Sequence, residues 1–248
     1  MVNLQVYTWK MIFSIPNRKI GVYTQGEEGP LLVFIGGIHG NEPSGVSALV
    51  RVFDKLALLV PSFKGKVVGV RGNMAALSRN VRYIDKDLNR LWSESAIRRV
   101  KTRSSEEWNS EEGELMELLS MIEKNTDGSH APEILIDLHT TSAPNGLFSI
   151  VSDDPFNIQL ASAIYAPVIL GLTESLTATT NIFMKNRGYK GLAFEAGQHT
   201  DPASVDNHEG RCCMNKIAQR QGDGMVRKRP LRVRQSFAKG AYQGRSFY

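Results

Sequence analysis

In the stretch FIGGIHGNEPSG, Phe34 to Gly45, a histidine and a glutamate stand three residues apart on a glycine-rich turn that follows an apolar run. His39 and Glu42 are two of the three protein ligands needed by a catalytic zinc site of the two-histidine, one-carboxylate kind, whose fourth position is kept for water. The third candidate is His139, at the end of a second apolar run, ILIDLHTT. Asp137 lies two residues earlier and therefore on the same strand face, where a carboxylate can fix the tautomer of a ligating imidazole. Closing an otherwise apolar strand with an acid and an imidazole is costly unless something pairs them. Taken singly, each histidine reads as a loop residue or a satisfied core residue. The three together point to a metal centre.

A general base should be a carboxylate near the metal but not on it. Glu195, in GLAFEAGQH, interrupts a third apolar run. A buried, unpaired glutamate has a raised pKa, as a proton shuttle requires; the competing reading is a buried acid paired with Lys190. The segment RYIDKDLNR, Arg82 to Arg90, adds a cluster of polar side chains. The fork of Arg90 with the amide of Asn89 would clamp a carboxylate, and Arg82 could hold an oxyanion. Alone, such a run more often forms a surface loop laced with salt bridges. His199 and His208 are alternative ligands, but they stand in polar text and read as solvated, as does His130.

The elements that must position these groups alternate. KIGVYTQ and LLVFIGG read as strands joined through GEEGP as a hairpin, and the run from Ser44 to Val60 as a helix capped by Ser44 and ended by Pro61. KVVGVRG reads as a buried strand. SEEWNSEEGELMELLSMIEKN reads as one amphipathic helix whose acids favour its amino-terminal dipole. PEILIDLHTT and FSIVS read as strands, PFNIQLASAIYAPVIL as a helix, and KGLAFEAGQH as a strand. The series predicts an α/β fold with a mostly parallel sheet and helices on both faces. The glycines after LLVFI place His39 and Glu42 where a strand ends, and ligands of open α/β sheets sit at strand ends.

The chain has 248 residues, 42% hydrophobic and 22% charged, enough for one large domain with its own core. Its net charge of +5 is unevenly spread: residues 211–248 hold ten Lys/Arg and one acid, or +9, leaving 20 Lys/Arg against 24 acids, or −4, elsewhere. We therefore expect residues 1–210 to form the α/β domain and 211–248 a basic tail, irregular or aberrant in character. Without a basic stripe on the body, the charge argues against a nucleic-acid partner. No apolar run approaches the roughly 20 residues that span a bilayer, and no signal peptide is legible, so a cytoplasmic protein without a membrane partner is expected. Its two cysteines, Cys212 and Cys213, are adjacent and cannot build a disulfide framework.

In order, GGIHGNEPSG, RYIDKDLNR, DLHTT and FEAG resemble the succinylglutamate desuccinylase and aspartoacylase family, itself related to the zinc carboxypeptidases; the likeness runs from about residue 20 to about 210. The resemblance implies a carboxypeptidase-like α/β fold with a mixed, mostly parallel sheet, one zinc per chain, and hydrolysis of the amide bond of a small anionic N-acyl amino acid. Carried over residue by residue, it implies that His39, Glu42 and His139 hold zinc, Glu195 activates water, Arg82 stabilises the oxyanion, and Asn89 and Arg90 grip a substrate carboxylate. Where family members place an arginine for a second substrate carboxylate, this chain has Lys185, with Arg187 nearby. The alternatives are a metallocarboxypeptidase acting on short peptides, and a zinc-binding module without catalysis. A homo-oligomer is left open.

Overall fold

The computed structural model describes residues 17–126, 132–144, 146–172 and 176–211. The basic tail beyond Arg211, both cysteines and His130 lie outside the described residues. Seven strands form one sheet: β1 (Lys19–Thr24), β2 (Leu31–Gly36), β3 (Lys66–Arg71), β4 (Glu133–Thr141), β5 (Leu147–Ile150), β6 (Val168–Ile169) and β7 (Lys190–Gln198). Their order is β1-β3-β2-β4-β7-β5-β6. The central pairs β3/β2, β2/β4 and β4/β7 are parallel, whereas β1 on β3 and β5 on β7 are antiparallel. The sheet is therefore mixed and mostly parallel, as expected.

β2 explains why the centre is parallel. All six of its residues, LLVFIG, are buried, so it must be covered on both faces. Leu32 and Phe34 face a core with Leu49 and Leu56 of α1 (Ser44–Leu59) and Leu160 of α5 (Pro155–Ala163). Leu31, Val33 and Ile35 face the other way, onto Ile97 and Val100 of α3 (Glu94–Lys101), Leu115 and Leu118 of α4 (Ser110–Asn125), and Phe183 of α6 (Thr180–Arg187). Two short elements complete this core's connections: α2 (Met74–Arg79) and a 3₁₀ turn at Leu88–Arg90. Among the described residues the last helix, α7 (Ala203–Arg211), follows β7.

Several expectations are corrected. β1 and β2 do not form a hairpin; β3 lies between them. β1 alternates exposed and half-buried residues and suits an edge, while the wholly apolar β2 takes a parallel partner on each side. Pro43, not Ser44, is the N-cap of α1, and the Ser44 hydroxyl is buried without a hydrogen-bond partner among the described residues. The helix read over Pro155–Leu170 stops at Ala163, because Pro167 disfavours helical backbone at the residue before it, and Val168–Ile169 pairs with β5 instead.

The single acidic helix is divided by two consecutive capping boxes, Ser104 with Glu107 and Asn109 with Glu112, so that α4 begins at Ser110. Its first-turn acids are not solvated. Glu111 is fully buried and accepts from the backbone N–H groups of Ile84 (2.7 Å), Asp85 (2.9 Å) and Lys86 (3.1 Å) and from Asn73 Nδ2 (2.9 Å). Burial alone would raise its carboxyl pKa; these donors hold it below the usual carboxylate value. Glu111 thus ties down the loop that carries Arg82 to Arg90. Glu111→Ala would strand the buried Asn73 amide and three part-buried backbone donors and is expected to cost about 3–5 kcal/mol, read as a lower urea midpoint. A loss within about 0.5 kcal/mol, as at ordinary surface sites, would show that the loop is held by other contacts.

Candidate active site and metal centre

β2 leads through α1 to β3 on one side of it, while β4 lies on its other side, so the carboxyl ends of β2 and β4 flank a crevice at the switch in chain direction. The turn after β2 enters that crevice. Gly37 has φ +76°, a conformation costly for other residues, and at Gly40 a Cβ would sit 2.1 Å from the Ala76 carbonyl carbon of α2. The chain thereby bends sharply enough to send His39 and Glu42 inward. Glu42 immediately precedes the amino terminus of α1, where the helix dipole favours a carboxylate.

His39, Glu42 and His139 converge, each offering one ligand atom within 4.8 Å of the others, and all three are buried. His39 Nδ1 lies 2.9 Å from Glu42 Oε1, and His139 Nδ1 lies 3.0 Å from Glu42 Oε2, which also accepts the Thr140 N–H at 3.0 Å. Each ring turns its other nitrogen to an acid: His39 Nε2 is 3.0 Å from Asp87 Oδ1, and His139 Nε2 is 2.8 Å from Asp137 Oδ2. Carboxylates placed this way hold a proton on Nε2 and fix each ring with its Nδ1 directed at a shared point. Two imidazoles and one carboxylate facing a common point are, once their Nδ1 atoms give up any proton to the ion, a donor set suited to zinc, so these residues could hold a metal ion.

Charge keeps this cluster ionised. Burial would raise the Glu42 carboxyl, but the His139 and His39 imidazoles hold it well below the carboxylate range. Asp87 is likewise pushed up by burial and pulled further down by His39 and Arg82. Burial opposes protonation of His139, yet Asp137 and Glu42 raise its pKa well above the ordinary imidazole value. Thr180 of α6 donates its hydroxyl to Asp137 Oδ2.

Glu195 is the direct register partner of His139 across the β4/β7 pair, just before an irregularity between His139 and Thr141. Its Oε2 is buried with no hydrogen-bond partner among the described residues. Lys190 does not reach it, being paired with Asp154 at 3.0 Å. Burial chiefly lifts the Glu195 carboxyl from the ordinary 4.5 to about 7. Such a group adds stability that is complete below the unfolded pKa and is lost as pH rises through 7. Metal-stripped Glu195→Gln is therefore expected to exceed metal-stripped wild type by up to about 3 kcal/mol near pH 8, with the gap closing toward pH 4.5. Urea unfolding at both pH values checks this; a gap independent of pH would contradict the buried acid.

A cavity of about 300 Å³ opens onto His39, Glu42, His139 and Glu195 and is lined by Arg82, Asn89 and Arg90 as well. The structure thus brings every site residue expected from the sequence to one cavity. Arg82 is 41% exposed and bonds Asp87 Oδ2 at 3.0 Å, with Glu42 Oε1 at 3.5 Å. The Asn89 side-chain oxygen accepts the Thr180 N–H at 3.0 Å, and Arg90 donates to the Asn89 carbonyl at 2.8 Å. A larger cavity, about 590 Å³, lies at the β1 edge against Lys19, Lys66, Met116 and Lys124. It contains none of the clustered imidazoles and carboxylates, so the chemistry belongs to the smaller one.

Two histidines were misread as solvated. His199 lines the cavity, its Nδ1 2.8 Å from the Thr140 hydroxyl, and burial lowers its pKa. His208 on α7 is buried against Phe194, and burial holds its pKa down at about 3. Asp87 and Thr180 were not singled out from the sequence. Asp87 lay inside the polar RYIDKDLNR cluster, but nothing there distinguished it from Asp85 as the partner of an imidazole 48 residues away. Thr180 carries no signal at all.

A mixed α/β sheet with a two-histidine, one-glutamate cluster at its carboxyl edge defines a carboxypeptidase-like protein with a candidate metal centre. The profile of the succinylglutamate desuccinylase/aspartoacylase catalytic domain matches residues 28–210, and the chain belongs to that family. It is 30% identical over 171 residues to a probable aspartoacylase of Acaryochloris marina, covering 67% of this chain and 54% of that one. It is 37% identical over 141 residues to an N-acyl-aromatic-L-amino acid amidohydrolase (carboxylate-forming) of Rattus norvegicus, covering 54% and 42%. The chain spans about half the length of the curated relatives it matches. Its fold matches the succinylglutamate desuccinylase of Chromobacterium violaceum with a TM-score of 0.65 at 16% identity, over 86% of this chain and 74% of that one. Among the described residues, no helix is long and apolar enough to cross a membrane.

Proposed function

We propose that this chain is a zinc-dependent hydrolase that cleaves the amide bond of small anionic N-acyl amino acids, its chemistry contained within residues 1–210. One observation carries the reading: the His39, Glu42 and His139 donors converge beside the Glu195 carboxyl, whose Oε2 is buried without a partner among the described residues and whose pKa burial raises to about 7. In this reading His39, Glu42 and His139 hold zinc. When bound, the ion would supply Lewis acidity, polarising the amide carbonyl and making water acidic near neutral pH.

The remaining work falls to the chain. Glu195, poised near neutrality, takes a proton from the attacking water and returns it to the amine nitrogen as the carbon–nitrogen bond breaks, leaving a carboxylate and a free amine. Arg82 donates N–H groups to the carbonyl oxygen as negative charge develops on it. Arg90 and the Asn89 amide bind the carboxylate of the amino-acid half and so align the scissile bond. Asp87 and Asp137 keep His39 and His139 in the tautomer that leaves Nδ1 free.

The test is release of free amine from N-acyl amino acids by zinc-loaded protein, with short peptides run in parallel. Hydrolysis of the N-acyl amino acids, lost on chelation and restored by zinc, is expected. Cleavage confined to peptides would replace this reading with a carboxypeptidase, and stoichiometric zinc binding without any hydrolysis would leave a non-catalytic module.

A further inference from the structure

The charges lining the cavity carry information about the substrate beyond its class. Among the described residues, the only arginines or lysines lining it are Arg82 and Arg90. Arg82 pairs with Asp87 at 3.0 Å and, in the reading above, faces the carbonyl oxygen. Arg90 donates only to the neighbouring Asn89 carbonyl, and no carboxylate among the described residues lies within ion-pair reach of it. The next cations along the chain do not help: Lys185 is exposed and does not line the cavity, and Arg187 is held by Glu94 at 2.7 Å and Glu123 at 3.6 Å while lying over the Phe183 ring. Ile150, Leu172, Leu176 and Ala193 give the rest of the lining an apolar part.

We propose, resting on the hydrolase reading above, that the substrate carries a single carboxylate, held by Arg90, and that its acyl group and amino-acid side chain are neutral and apolar. The site would then take N-acyl derivatives of neutral amino acids in preference to those of aspartate or glutamate. A second carboxylate entering this cavity loses water, and among the described residues no arginine or lysine beyond Arg82 and Arg90 lines it to pair with that charge. An apolar group instead loses its hydration against Ile150, Leu172, Leu176 and Ala193. Discrimination comes as much from the unpaired charge on the wrong substrate as from contact with the right one.

The experiment compares kcat/KM of the zinc-loaded full chain for N-acetyl-L-leucine and N-acetyl-L-phenylalanine with that for N-acetyl-L-aspartate and N-succinyl-L-glutamate. The neutral pair is expected to exceed the acidic pair by about tenfold or more. Equal values, or a preference for the acidic pair, would overturn this inference and leave the hydrolase reading standing. Failure to cleave any of the four would sink the hydrolase reading and this inference with it.

Discussion

Replacing Glu195 by glutamine is expected to lower kcat by about 10³-fold or more while leaving bound zinc near one equivalent. The two side chains are nearly isosteric, but the amide cannot take a proton from water at neutral pH. Because Glu195 Oε2 has no partner among the described residues, the substitution removes no hydrogen bond seen there, and the fold should persist. Steady-state kinetics with elemental analysis of the same preparation separates the two effects. Activity within tenfold of wild type would take the base assignment away from Glu195. Loss of zinc together with activity would make it a ligand instead.

The second large effect is on the metal. His39→Ala removes one of the two Nδ1 donors but leaves Asp87 paired with Arg82 at 3.0 Å, so no acid is stranded. Zinc affinity should fall by more than about 100-fold, the upper range for losing only an outer partner of a ligand, and hydrolysis should fall with it. Asp87→Asn, which keeps both metal-facing Nδ1 atoms but weakens the partner of His39 Nε2 and the pair with Arg82, should cost about 10- to 100-fold in affinity. Competition with a zinc chelator of known affinity ranks the three proteins. If His39→Ala binds zinc as wild type does, the convergence of imidazoles and carboxylate has another purpose.

These expectations depend on how much of the site local sequence could announce. Strand β2 was legible because five consecutive apolar residues followed by two glycines have few other uses, and the polar pair after them could only face a crevice. His139 and Glu195 were legible for a related reason: each puts an ionisable group at the end of an apolar strand, a placement that burial penalises unless chemistry or pairing compensates. What failed was pairing. GEEGP has the composition of a hairpin turn, yet the competition for β2's edges is decided by β3 and β4, strands 35 and more than 100 residues away. The acids of α4 failed likewise. Glu111 looks like any solvated first-turn acid until the amides of Ile84, Asp85 and Lys86 arrive beside it.

The sequence by itself therefore determined the kinds of chemistry this chain can carry, the alternation that builds its parallel sheet, and the strand ends from which its ionisable groups project, since these follow from residue type and local periodicity. Only the tertiary structure decided which acid faces which imidazole and, among the described residues, which carboxyl oxygen is buried without a partner and which cations line the cavity. Those properties are set by contacts between residues far apart in the chain, and the energies of burial and charge that govern them exist only once the chain has closed around the site.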